Sequence, residues 1–150
     1  MEGHVALRRG RVSLANQIYH VTASTRSREP LFTHVWAAHA ACRCFADASL
    51  LGDASLLAWV LMPDHAHWLL QLGEEDALDT VVARLKSASA RKANAAMGRN
   101  GAVWAKAYYD RALRSDDDMV DVARYIITNP LRKGLVNRIG DYPYWNAAWL

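Results

Sequence analysis

Leu56-Leu57-Ala58-Trp59-Val60-Leu61-Met62-Pro63-Asp64-His65-Ala66-His67-Trp68-Leu69-Leu70-Gln71-Leu72 is the stretch from which the fold can be read. Residues 56–62 and 65–72 are apolar runs of strand length. The two-residue Pro63-Asp64 turn between them is too short for a crossover, so the pair reads as an antiparallel hairpin. On such a strand His65 and His67 project from one side, about 7 Å apart, while Ala66, Trp68 and Leu70 project from the other. Upstream, residues 17–25 (Gln17-Ile18-Tyr19-His20-Val21-Thr22-Ala23-Ser24-Thr25) are rich in β-branched and aromatic side chains and form a first strand. Pro30 and Thr33 prepare a helix over 33–46 with Thr33 as N-cap, in which Val35, Trp36, Ala40 and Ala41 recur near helical spacing.

Downstream, Leu78, Val81, Val82, Leu85, Ala88 and Ser89 mark the buried stripe of a long helix over 77–97, stopped by Gly98-Arg99-Asn100-Gly101. Residues 103–113, with Trp104, Tyr108 and Tyr109, suit a fourth strand. A last helix begins at Ser115, with Asp116, Asp117 and Asp118 in its first turn, where the helix dipole favours negative charge. It ends near Asn129, because Pro130 disfavours helical geometry in the residue before it. The order strand, helix, strand, strand, helix, strand is the split βαβ pattern. It predicts an α+β, ferredoxin-like fold, a four-stranded antiparallel sheet with helices on one face and an additional C-terminal helix. The other sheet face is then expected to be free.

The chain has 150 residues, of which 52% are hydrophobic, enough for one core and short of two, so we read a single domain over 1–150. The apolar fraction excludes a disordered tail, and no apolar run approaches the roughly 20 residues of a membrane helix. Residues 1–10 contain Arg8 and Arg9 but no apolar core of a signal peptide, which reads as a cytoplasmic protein. Cys42 and Cys44 lie too close together for a useful disulfide and are too few for a zinc site of their own, so we read them as structural, together with His20. Charge is uneven: residues 81–114 hold eight basic residues against one acidic, a local +7, and Arg8, Arg9, Arg11, Arg26 and Arg28 form a second basic arm. Such a block is either a solvated helix face or a surface for a polyanion, and the arm and the pI near 9.0 favour nucleic acid. Arg84 and Arg91, seven residues apart, project within about 20° of each other on a helix.

His65 and His67 can share a metal ion, or can be two surface histidines beside a turn. In the last helix Met119, Val122, Ala123 and Ile126 define the buried stripe. Tyr125 and Asn129, four residues apart, share another face and present a phenol and an amide together. Read without the histidines, they are better taken as a half-buried aromatic and a helix-ending residue before a proline. A third histidine at position 69 would suggest a histidine-triad hydrolase, but that residue is Leu69.

Together, His-x-His within Trp59-Val60-Leu61-Met62-Pro63-Asp64-His65-Ala66-His67, the strand Tyr19-His20-Val21-Thr22, the region from Trp104 to Arg111, and Tyr125-Ile126-Ile127-Thr128-Asn129-Pro130-Leu131-Arg132-Lys133-Gly134-Leu135-Val136 resemble the single-tyrosine HUH transposases. More narrowly they resemble the REP-associated tyrosine transposases of bacteria, over roughly residues 17–136. The resemblance implies a metal-dependent single-stranded DNA endonuclease and strand transferase that cuts next to REP-like hairpins. It makes Tyr125 the nucleophile and His65 and His67 metal ligands, with Asn129 where a third ligand sits and Mg²⁺ or Mn²⁺ as the ion. It also implies a monomer or homodimer in the bacterial cytoplasm, associated with the nucleoid. The chemistry is consistent: a free phenol titrates near 10 and is a weak nucleophile at neutral pH, so a cation that neutralises developing charge on phosphate helps it. Arg84, Lys86, Arg91, Lys92 and Arg99 are expected to meet DNA phosphates. The alternative is a non-catalytic, RRM-like sheet that binds single-stranded nucleic acid.

Overall fold

The computed structural model describes residues 13–114 and 117–149. In chain order, β1 (Ile18–Ser24) is followed by α1 (Val35–Phe45), the one-turn α2 (Ala48–Leu51), the hairpin of β2 (Ser55–Met62) and β3 (His65–Gln71), α3 (Leu78–Met97), β4 (Tyr109–Ala112), α4 (Met119–Ile127), α5 (Asn129–Arg132) and β5 (Trp145–Ala147). The strands make one antiparallel sheet in the order β4-β1-β3-β2-β5. This is the expected α+β arrangement with a fifth strand added at the outer edge of β2. Arg8, Arg9 and Arg11 of the basic arm, and Ser115 and Asp116 at the expected start of the last helix, lie outside the described residues. No helix among the described residues is long and apolar enough to cross a membrane.

One sheet face carries Val21, Ala23, Leu61, Ala66, Trp68 and Leu70 against α1 and α3. The stripe on α3 is the one its periodicity requires, extended by Ala93, and the helix closes on Gly98 in the left-handed region at φ 64°. Trp104 explains why β4 is shorter than the strand expected over 103–113. It makes only an isolated bridge to Thr25. Its ring fills the core beside Phe32 and Trp68, and its Nε1 donates to Ser89 Oγ at 2.9 Å. Cys42 and Cys44 are free thiols on α1, and burial pushes Cys42 up to about 12.

The second face is not free. Ala58, Val60, Met62 and Leu69 pack against Ala123 and Ile126 of α4 and form a second core. The reason is legible in β2, which is apolar at successive positions instead of alternating, as a strand buried on both faces must be. Only the β1–β4 half of this face stays polar, with His20, Thr22, Ser24, Tyr109 and Arg111 on it. The helix caps also differ from expectation. His34, not Thr33, caps α1, its Nδ1 accepting from Ala37 N at 3.3 Å. Asp118 caps α4, accepting from Val120 N at 2.9 Å and Asp121 N at 3.3 Å, while Asp117 stays outside the helix paired with Arg111. The helix stops at Ile127, and the chain turns at Thr128 into α5, where Pro130 sits in the first turn and its missing N–H costs nothing.

Candidate functional site

The Pro63-Asp64 turn is pinned by its carbonyls, Asp64 O accepting from Thr25 N at 2.9 Å and Pro63 O from Phe32 N at 3.0 Å. This fixes the start of β3, and strand alternation then sends His65 and His67 to the α4 side while Ala66 and Trp68 enter the first core. In register, His67 lies between Thr22 and Val60, and His65 between Ser24 and Met62. The two imidazoles meet edge to face with centroids 5.0 Å apart.

Each ring is held through Nδ1. His65 Nδ1 lies 2.8 Å from Asp64 Oδ1, and Asp64 is also paired with Arg28 at 3.2 Å. His67 Nδ1 lies 3.0 Å from both Thr22 Oγ1 and His20 Nε2. The Asp64 carboxylate can only accept, so His65 carries its proton on Nδ1 and presents Nε2 as the ligating nitrogen, while the contacts on His67 Nδ1 orient its ring. His65 Nε2 accepts from Asn129 Nδ2 at 3.2 Å, and Asn129 is buried. His65 is not a surface histidine beside the turn: only 7% of it is exposed and both ring nitrogens are occupied, because the α4–α5 corner closes over it.

Burial keeps these histidines neutral. It lowers His65 below the usual imidazole value against the opposing pull of the Asp64 carboxylate. It lowers His67 to about 3, with His20 and His65 adding to the effect, and His20 to about 4, with Arg111 adding. Neutral imidazole is the ligating form. In chelator, an unfolded histidine takes up a proton near pH 6.5, whereas the folded chain protonates His20 and His67 only near 4 and 3. The contribution of these two histidines to stability is therefore fully present above about pH 6.5 and is lost as pH falls through about 4 and 3. Urea midpoints at pH 7 and pH 4.5 measure this, and equal midpoints would contradict the burial argument.

Tyr125, in the last turn of α4, is 57% exposed and lines one cleft with Thr22, Arg28, His65, His67, Asn129, Arg132 and Lys133. All four residues expected at the reactive centre thus border one opening in one chain. Tyr125 and Asn129 do so although the helix breaks between them. Among the described residues no group of three or more His, Cys, Asp or Glu could hold a metal, so a metal centre here depends on Asn129 as third donor. The donor set fits: two neutral imidazoles, each with Nδ1 engaged, and an amide whose oxygen shares a carbon with the nitrogen now facing His65. Such a mixed nitrogen and oxygen set accepts Mg²⁺ or Mn²⁺.

The expected DNA contacts are not brought to this cleft, because α3 lies on the opposite sheet face. Arg84 pairs with Asp76 at 2.8 Å. Lys86 donates to Ala105 O at 2.7 Å. Arg91 donates to Ser87 Oγ and Arg99 to Asn94 Oδ1, each at 2.7 Å, while Lys92 is exposed. The cations at the cleft are Arg28, Arg132 and Lys133. Arg28 belongs to the basic arm that favours nucleic acid, whereas Arg132 and Lys133 carry no site role in the sequence reading although they stand within eight residues of Tyr125. His20 was also read as structural only, since its place beside His67 depends on the pairing of β1 with β3.

A family model described as Transposase IS200 like matches residues 13–129. A curated protein of Haemophilus influenzae is 30% identical over 98 residues, covering 59% of this chain and 56% of that protein. A REP-associated tyrosine transposase of Escherichia coli K12 is 29% identical over 87 residues, covering 58% and 50% respectively. The chain thus spans about half the length of the curated relatives it matches. In fold it is similar to a solved REP-associated tyrosine transposase bound to a REP hairpin, with a TM-score of 0.68 and 23% identity over 90% of this chain and 79% of that one.

Proposed function

This chain belongs to the IS200-like transposase family, and on that premise we propose that it cuts and rejoins single-stranded DNA beside hairpins, with Tyr125 as nucleophile. The observation that carries this reading is the single cleft bordered by Tyr125, His65, His67 and Asn129 and rimmed by Arg28, Arg132 and Lys133. Tyr125 Oη attacks the scissile phosphorus and the phenolic proton leaves to solvent. The bond from phosphorus to the 3′ oxygen breaks, and that oxygen departs as a free 3′-hydroxyl after taking up a proton. A 5′-phosphotyrosine remains, and because it is a diester like the bond it replaced, a second 3′-hydroxyl can reverse the step without ATP. Arg28 and Lys133 hold the flanking phosphates. Mg²⁺ or Mn²⁺ on His65, His67 and Asn129 would supply positive charge for the non-bridging phosphate oxygens.

The cations of α3, Arg84, Lys86, Arg91 and Lys92, and Arg99 just beyond its end, serve in this reading only DNA long enough to reach the far face, as a hairpin stem can. The RRM-like alternative finds less room, since α4 covers half of the sheet face such a module uses. The substrate places the protein with the chromosome in the bacterial cytoplasm. Labelled single-stranded hairpin DNA incubated with the protein and Mn²⁺ should give a protein-linked product on a denaturing gel and none with chelator. Cutting without any linked product refutes the assignment.

Because nucleophile and proposed ligands border one cleft within one chain, we expect the active site to assemble in cis. A Tyr125→Phe variant mixed with a His65→Ala/His67→Ala variant should then form no adduct. Rescued activity in the mixture would mean that α4 is exchanged between subunits.

A further inference from the structure

Tyr125 presents a problem that the ligand cluster does not solve. With 57% of it exposed, at the end of a nine-residue helix, little apolar packing holds its ring. An exposed side chain exchanges among staggered rotamers within nanoseconds, and a nucleophile is productive in only one of them.

Arg132 addresses this directly. Its guanidinium carbon lies 3.8 Å from the centroid of the Tyr125 ring, in stacking contact. The guanidinium is itself fixed: Nη1 donates to Thr128 Oγ1 at 2.7 Å and Nη2 to the Tyr125 carbonyl at 2.6 Å. The Thr128 hydroxyl in turn donates to the Arg124 carbonyl at 2.7 Å. Arg132 is therefore anchored to the backbone of the residue whose ring it covers. It also ends α5, the helix that Asn129 begins, and Asn129 contacts His65. One rigid turn thus places the ring relative to the histidines.

We propose that Arg132 is the positioning residue for Tyr125, its anchored, planar guanidinium holding the phenol ring in the cleft beside His65, His67 and Asn129. The inference rests on the reading of Tyr125 as the nucleophile. It requires arginine in particular, since lysine keeps the charge but has no flat face to stack and no fork to bridge Thr128 Oγ1 and the Tyr125 carbonyl.

The test has two arms, each run on Arg132→Gln and on the milder Arg132→Lys. Without DNA, NMR couplings between the α and β protons of Tyr125, identified by the signals lost in Tyr125→Phe, should report one rotamer in the parent and averaging in both variants. With saturating labelled hairpin DNA and Mn²⁺, single-turnover adduct formation should slow by about 10- to 100-fold in both, as for a misplaced reacting group. Affinity of Arg132→Lys for the same DNA in chelator should stay within about 3-fold of the parent, because the charge is retained. Unchanged couplings in either folded variant overturn the proposal, and so does a parental adduct rate in Arg132→Lys, which would make Arg132 a phosphate ligand. A parent chain that forms no adduct refutes Tyr125 as nucleophile, while the couplings still decide whether Arg132 holds the ring.

Discussion

Tyr125→Phe is expected to reduce the covalent protein–DNA adduct below detection, about 10⁴-fold or more, as when other enzymes lose their nucleophile. The substitution deletes one oxygen and leaves a ring of the same shape under Arg132. Tyr125 is exposed, so the loss of its hydroxyl leaves no buried polar group unsatisfied, and thermal stability should be close to that of the parent. DNA affinity in chelator should likewise persist, because Arg28, Arg132 and Lys133 remain in place. Denaturing gels with labelled hairpin DNA, read beside a binding isotherm, separate loss of chemistry from loss of binding. An adduct of undiminished yield would mean that another residue attacks the phosphate.

His65→Ala should fail in two ways at once. Cleavage should be lost at limiting Mn²⁺, since one of the three proposed donors is gone. Stability should also fall, by roughly 2–3 kcal/mol, because a buried ring is removed and the buried Asn129 amide is left unpaired. Part of that cost also comes from Asp64, which loses the imidazole and keeps Arg28. Urea denaturation in chelator measures the second effect without interference from metal. A variant as stable as the parent would show that His65 sits at the surface, as its sequence neighbourhood suggested. Cutting at parental rate would remove it from the reactive centre.

That contrast shows where sequence reasoning stops. Alternation along 65–72 places both histidines on the face opposite Trp68, because the period of a strand is two whatever surrounds it. Exposure has no such rule: His65 is buried by a corner of chain more than 60 residues away, at Asn129. The same limit applies to the basic block. Residues 81–114 are basic as read, yet which side of the sheet α3 covers is a matter of packing, and it is the side away from the cleft. β2 carries a further signal, its unbroken apolar run marking burial on both faces, and α4 is the element that closes the second one. β5, three residues long, carries too little periodicity to be recognised and exists because β2 offers an unpaired edge.

The amino-acid order by itself determined the periodic elements, the hairpin that aims two imidazoles one way, and the motifs that place the chain in its family, since these depend on neighbours within a few residues. Only the tertiary structure decided that His20 stands against His67, that Asn129 reaches His65, and that Arg132 covers the Tyr125 ring. Strand register and the turn between α4 and α5 set those distances, and both are determined by how two cores pack on the two faces of one sheet.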